Sequence, residues 1–198
     1  MARLSLNKST LSDQIRQLKT YRNFLPSLDL KRRQLLSEEE KARKELRMLD
    51  EREEALRPMV EKQIPMLGYT HVDVRGIVRV TKAEIVEENV MGVRLPKLGN
   101  LEIKVSDYPF LGKPHWVDRV VELLQQAIEI RMHRQVTERR LELLASAAKV
   151  VSQRVNLFDK VLIPKTEANI QRIRIALSDS ERASIVRAKI AKAEKGVA

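Results

Sequence analysis

The chain contains no cysteine, and only 4% of its 198 residues are aromatic. Without cysteine it has no disulfide framework and no thiolate that could act as a nucleophile or a metal ligand. No run of eighteen apolar residues occurs, and the amino terminus lacks the apolar core and the small-residue cleavage site of a signal peptide. These absences predict a cytoplasmic protein that is neither secreted nor inserted in a membrane.

Recognisable catalytic motifs are also missing. The three histidines, His71, His115 and His133, have no metal-ligand spacing such as HExxH, so surface or partly buried imidazoles are favoured over a metal site. None of the patterns GxxxxGK[ST], GxGxxG or GxSxG is present, although a nucleotide or acyl-transfer site would need such a backbone cradle or nucleophile turn. We therefore expect no enzyme activity in this chain, no cofactor and no bound metal.

Heptad repeats of apolar residues mark both ends of the chain. They make narrow seams, which are typical of a coiled coil and not of a thick globular core. The seam residues are Leu11, Leu18, Leu25, Leu28, Leu35 and Leu49 in the first part, and Leu141, Leu144, Val151, Val155, Phe158 and Leu162 in the last.

The first helix is predicted to begin near Asn7–Ser9, where Asn7 or Ser9 would cap it, and to end at about residue 63. Pro26 should kink this helix without ending it. Asp118 or a neighbour is expected to cap the last helix, which should continue through Pro164 towards residue 194. After Pro164 the apolar columns shift, so the phase of the seam is predicted to slip there.

Most of the helix-breaking residues lie between the two seams. Five of the six glycines and four of the seven prolines fall within residues 65–114, so the chain must turn there. A strand is predicted over Thr70–Val80, with a bulge at Gly76, because apolar and polar residues alternate. A hairpin is predicted to pair Met91–Leu95 with Leu101–Val105 around a turn at residues 96–100.

The predicted fold is mainly α: a long antiparallel two-helix coiled coil formed by the N- and C-terminal helices, with a small β-hairpin-containing domain at the turn. The predicted domains are an N-terminal helix (1–63), a small β-rich domain (64–115) and a C-terminal helix with a basic tail (116–198). A helix of some sixty residues would be roughly 90 Å long. We expect a rod with a small knob, a shape that spans distance and does not enclose a substrate.

The formal net charge of +11 is concentrated at the chain ends. Residues 1–36 hold a surplus of six positive charges and residues 165–198 a surplus of four, which leaves one for everything between. Antiparallel helices would bring both chain ends to the same end of the coiled coil. We expect this basic end to bind an acidic partner. Nucleic acid is one such partner, but base-stacking aromatics are scarce there, with Tyr21 and Phe24 as the only pair. A plain structural spacer or adaptor is a further alternative.

The carboxyl-terminal sequence separates these alternatives. Its distinctive elements are Arg154-Val155-Asn156, Ile163-Pro164, the pair Ile170 and Ile173, Ser180-Glu181-Arg182 and the tail Arg187-Ala188-Lys189-Ile190. These elements resemble the carboxyl-terminal signature of the D subunit of the V-type and archaeal A-type rotary ATPases. The segment Leu30–Leu35 is similar to that family as well, and the resemblance covers essentially the whole chain.

The resemblance implies a non-catalytic central rotor shaft that couples ATP hydrolysis or synthesis to ion transport. Its implied partners are the A and B subunits of a hexameric catalytic ring, the F subunit, and the funnel (C/d-type) subunit above the membrane rotor; no nucleic acid is expected. The implied location is the inner face of the membrane, bound peripherally. The basic residues that we predict to contact the ring are Arg3, Lys8, Arg16, Arg172, Arg174, Arg182 and Arg187.

Overall fold

The structure, a computed structural model, describes residues 5–65, 76–106 and 116–195, with side chains up to residue 192. Its elements are α1 (Lys8–Gln63), β1 (Val78–Val90), β2 (Val93–Val105), α2 (Trp116–Leu157), a π-helical turn (Phe158–Leu162) and α3 (Ile163–Lys195). The described chain is thus mainly helical with an antiparallel hairpin between long helices, as predicted. Arg3, His71, His115 and the predicted strand residues Thr70–Arg75 lie outside the described residues.

Helix α1 has the predicted bounds. The side-chain oxygen of Asn7 accepts a hydrogen bond from the backbone N–H of Thr10 at 2.7 Å, which is the N-cap geometry expected from the sequence. The helix continues through both Pro26 and Pro58 and ends at Gln63. Pro26 therefore does not end α1, although a proline removes one backbone hydrogen bond from the interior of a helix.

The hairpin prediction was wrong in its position. Strand β1 pairs with β2 along its whole length, and the turn is at Met91–Gly92, between the paired Val90 and Val93. Both turn residues have positive φ angles, +52° and +76°, which is the pattern of a two-residue type I′ turn. The side chain of Asn89 accepts a hydrogen bond from the Gly92 N–H at 2.9 Å and so supports this turn.

Residues 96–100, predicted as the turn, are part of β2. The strand register shifts at Glu84 of β1, which lies opposite both Gly99 and Asn100 of β2. Gly99 and Asn100 therefore form a β-bulge and not the predicted turn. A Cβ atom at position 99 would lie 3.0 Å from Val86 Cγ2, which explains why glycine fits there. Pro96 is compatible with β2 because each strand of a two-stranded sheet has one unpaired edge. Gly76, predicted as a bulge, lies in a turn before β1 with φ +75°.

The chain divides into two compact units. Unit 1 comprises residues 1–32 and 150–198, and unit 2 comprises residues 33–149. In unit 1 the start of α1 pairs with the end of α2, the π-helical turn and α3. In unit 2 the rest of α1 pairs with most of α2, and the hairpin belongs to this unit.

An apolar core lies in unit 2. It joins Ile64 at the end of α1, Ile77 before β1 and the first turns of α2, where Trp116, Val117, Val120, Val121 and Leu123 are all buried. Adjacent buried pairs such as Val120 and Val121 show that α2 begins with a wide apolar face. A two-residue-per-heptad seam would bury only one residue of each pair.

Candidate interaction surfaces

Unit 1 is an antiparallel helical pair held mainly by side chains of α1 and α3. Arg22 donates a hydrogen bond to Glu167 at 2.6 Å, Gln14 accepts one from Asn169 at 3.3 Å, and Lys8 lies 3.8 Å from Glu181. The residue numbers of the α3 partners increase as those of the α1 partners decrease, so the two helices run antiparallel. The ring of Tyr21 also meets the edge of Phe158, with centroids 5.4 Å apart.

The predicted seam residues all lie on inward or half-buried positions of their own units. In unit 1, Val151 and Val155 are buried, whereas Leu11, Leu18, Leu25, Leu28, Phe158 and Leu162 are half-buried. In unit 2, Leu35, Leu49 and Leu144 are buried and Leu141 is half-buried. The weaker burial in unit 1 is expected of two helices that share a narrow seam, because neither helix can cover the other's flanks.

The predicted ring-contact residues that the structure describes are all solvent-exposed. They are Lys8, Arg16, Arg172, Arg174, Arg182 and Arg187. Lys8 has Glu181 as an ion-pair partner, but the five arginines have no ion pair within the described part of the chain. Exposed guanidinium groups of this kind are free to bind carboxylates of another molecule. The structure places them on one helical pair but leaves their binding partners as a prediction.

The positive charge follows the division into units. By sequence, unit 1 holds seventeen lysines and arginines against seven acidic residues, whereas unit 2 holds twenty-one against twenty. Unit 1 thus carries ten of the eleven net charges. Unit 1 is therefore the part of the chain that would attract an acidic surface over distances of about a Debye length.

Unit 2 is tied together by an arginine that the sequence did not single out. Arg134 of α2 donates a hydrogen bond to Asp50 of α1 at 2.7 Å and lies 3.7 Å from Glu53 and 3.9 Å from Glu138. The hydrogen bond to Asp50 is the main cause that raises the pKa of Arg134 above its ordinary range. Glu53, a polar residue at a position where the seam would favour an apolar one, thus has a charged partner.

A second arginine fixes the hairpin to α2. Arg140 donates a hydrogen bond to Glu88 of β1 at 2.9 Å, and its side chain is only 18% exposed. This bond is the main cause that lowers the pKa of Glu88 below its ordinary value of 4.5. Leu95, on the opposite strand, is fully buried, so the turn end of the hairpin combines an apolar anchor with an ion pair.

Sequence reasoning missed these pairs because heptad patterns identify seam positions but not which charges meet across them. Local pairs also occur on the charged stretch of α1, where Lys41 bonds Glu38 at 2.6 Å and Arg43 bonds Glu39 at 2.8 Å. Sequence reasoning also missed Thr137 and Thr166, the two buried polar residues of the described chain. Among the described helices, none is long and apolar enough to cross a membrane.

Comparison with known proteins gives a consistent result across the chain. A family model described as the D subunit of ATP synthase matches residues 10–193. A V-type ATP synthase D subunit from Borreliella burgdorferi is 31% identical, over 97% of this chain and 95% of the relative. A protein of the same name from Chlamydia abortus is 33% identical, over 89% of this chain and 86% of the relative.

Proposed function

Because this chain belongs to the family of ATP synthase D subunits, we propose that it is the central rotor shaft of its complex. Family membership makes it a non-catalytic stalk subunit of a V-type rotary ATPase. As a shaft, it would couple ATP hydrolysis or synthesis in a hexameric A/B ring to ion movement through a membrane rotor. It would act at the inner face of the membrane without entering the bilayer.

The match to the family model over residues 10–193 carries this proposal. The charge distribution supports an assignment of each unit to its partner subunits. We assign the basic unit 1 to the interior of the A/B ring, because its exposed arginines can bind acidic groups there. Unit 2 is assigned to the F subunit and the funnel subunit. Nucleic acid, the alternative acidic partner, has no supporting observation beyond the same charge.

Coupling in such a shaft follows from differential contact energy. As the shaft turns, a different face of unit 1 meets each nucleotide site, so the free energy of the complex depends on both shaft angle and site occupancy. Reciprocity then requires that torque on the shaft changes nucleotide affinity by the same coupling free energy. Many weak, exposed contacts suit this role, since one tight anchor would hold the shaft at a single angle.

The charge-reversed variant Arg174→Glu with Arg187→Glu tests this assignment. Exposed ion pairs contribute roughly 0.2–1 kcal/mol each, and reversal adds repulsion, so the two changes should weaken ring contacts by about tenfold. In complexes reconstituted into vesicles, we expect fewer ions pumped per ATP hydrolysed, whether the ion is a proton or sodium.

The matched control reverses two exposed cations of unit 2, Lys44→Glu with Arg47→Glu, and so changes the net charge equally. Pumping per ATP should stay near the wild-type value in this control. If the Arg174 and Arg187 variant pumps as efficiently as wild type, unit 1 does not engage the ring through these arginines.

A further inference from the structure

The second helical segment of unit 1 is interrupted by the π-helical turn Phe158–Leu162. The backbone N–H of Ile163 donates to the carbonyl of Phe158, five residues earlier, where an α-helix would use a residue four earlier. Pro164 follows at once and has no N–H, so the Lys160 carbonyl cannot receive the usual amide hydrogen bond. The wider turn thus occurs where Pro164 already removes one α-helical hydrogen bond.

Burial on the two sides of this turn follows two regular series that are out of phase. Before the turn, the inward residues are Val151, Val155, Phe158 and Leu162, with steps of four, three and four. After the turn, they are Ile163, Thr166, Ile170, Ile173 and Leu177, with steps of three, four, three and four. The first series, continued, would place positions 165, 169, 172 and 176 inward, but 165 and 172 are exposed and 169 and 176 are only half-buried, whereas Thr166, Ile170 and Ile173 are buried. The chain therefore contains one surplus residue between two seams.

An uninterrupted α-helix could not accommodate this sequence against α1. It would turn the exposed Lys165 and Arg172 towards the seam and would turn Ile170 and Ile173 away from it, although these two are now 7% and 0% exposed. Charged side chains in an apolar seam are costly unless they are paired. Thr166 is the polar member of the second series, and its hydroxyl is satisfied by donating to the Leu162 carbonyl at 2.6 Å.

We infer that the π-helical turn is a phase-setting joint, which absorbs one surplus residue and so keeps Arg172 of α3 turned outward. Any role of the joint in binding a partner rests on the proposed function. The structural role of the joint does not. With one residue fewer, Ile163 would take the position of Leu162 in the first series. The two series would then merge into one seam with regular alternation.

Deletion of Val161, an exposed residue of the turn, tests the joint directly. In the full-length chain, we expect the melting temperature to stay the same or rise, because Ile163 replaces Leu162 in the seam and the later inward residues keep their positions. Amide hydrogen exchange over residues 159–166 should slow by roughly tenfold, because α-helical hydrogen bonds, apart from the one that Pro164 cannot donate, replace the π-helical turn. A bismaleimide cross-link between cysteines introduced at positions 14 and 169, where Asn169 donates a hydrogen bond to Gln14 in the wild type, should be retained.

The matched control deletes Gln171, an exposed residue of regular α3 where no surplus exists. This deletion should rotate Ile173 and Leu177 out of the seam and lower the melting temperature by about 5 °C or more. A cross-link between cysteines at positions 8 and 181 should also be lost. If deletion of Val161 destabilises the chain as much as deletion of Gln171, or removes the 14–169 cross-link, the turn does not hold a surplus residue.

The functional part is tested separately in reconstituted complexes. The Val161 deletion should pump ions as efficiently as wild type, because it leaves the arginines outward, whereas Arg172→Glu with Arg174→Glu should lower pumping per ATP. If both complexes pump normally while the structural results hold, the joint stands and the role of these arginines in the proposed function fails. If the Val161 deletion keeps its stability but uncouples pumping, the joint has a role beyond phase setting and the inference is overturned.

Discussion

At the scale of single residues, the two arginines of α2 in unit 2 explain how a polar helix pair keeps one register. Arg134 bonds Asp50 on α1, and Arg140 bonds Glu88 on β1. Leucine seams alone tolerate slippage by a heptad, because each leucine can replace its neighbour. A guanidinium group that bonds one particular carboxylate does not repeat along the helix, so it distinguishes the native register from shifted ones.

The bond between Arg140 and Glu88 predicts a specific pH dependence. Because the folded-state pKa of Glu88 is lowered, its stabilising contribution is fully present above the ordinary value of 4.5 and is lost as the pH falls through the lowered pKa. Glu88→Gln should therefore destabilise the chain at neutral pH, and its melting temperature should converge with that of wild type at lower pH.

The comparison for this pH series is Glu84→Gln, which removes an exposed carboxylate of the same strand. Its melting temperature should differ from that of wild type by a small amount with no comparable convergence below pH 4.5. Parallel curves for wild type and Glu88→Gln down to pH 3 would contradict a stabilising role for the Arg140 contact.

At the scale of elements, the helices were predictable and the hairpin only in part. Helix bounds follow from heptads of leucine and from Asn7, whose capping role depends only on local sequence. The hairpin turn was missed because Met91 occupies a position with φ +52° where Asn or Gly is typical, so the usual signal is absent. Gly99 and Asn100 gave that signal falsely, because a bulge and a turn favour the same residues.

This mismatch makes Met91→Asn a stabilising change. It would create an Asn-Gly pair, the favoured sequence of a type I′ turn, and relieve about 1 kcal/mol of left-handed strain at a non-glycine residue. Amide exchange in β1 and β2 should then slow by about fivefold, since local opening becomes less favourable by that amount. Gly92→Ala, which introduces a Cβ at φ +76°, should have the opposite effect. Equal exchange rates in both variants would show that this turn does not limit opening of the hairpin.

At the scale of the whole molecule, the main feature is that ten of eleven net charges belong to unit 1. The sequence predicted that antiparallel helices bring the two basic chain ends together, and the structure places residues 1–32 and 150–198 in one compact unit. Unit 2 has more charged residues than unit 1, but its positive and negative charges are nearly equal in number. Unit 1 therefore has an excess of cations that could bind an acidic partner, whereas unit 2 does not.

This imbalance leads to a prediction about assembly with the proposed A/B ring. Electrostatic steering raises association rates and is screened by salt, with a Debye length of about 10 Å at 0.1 M and about 3 Å at 1 M. The association rate of the full chain with the purified ring should therefore fall by at least about tenfold between low and high salt. The reversal of Arg174 and Arg187 should weaken this salt dependence, whereas reversal of Lys44 and Arg47 should leave it nearly unchanged. Nuclease treatment should have no effect on binding; a loss of binding after nuclease would instead favour nucleic acid as the partner of the basic unit.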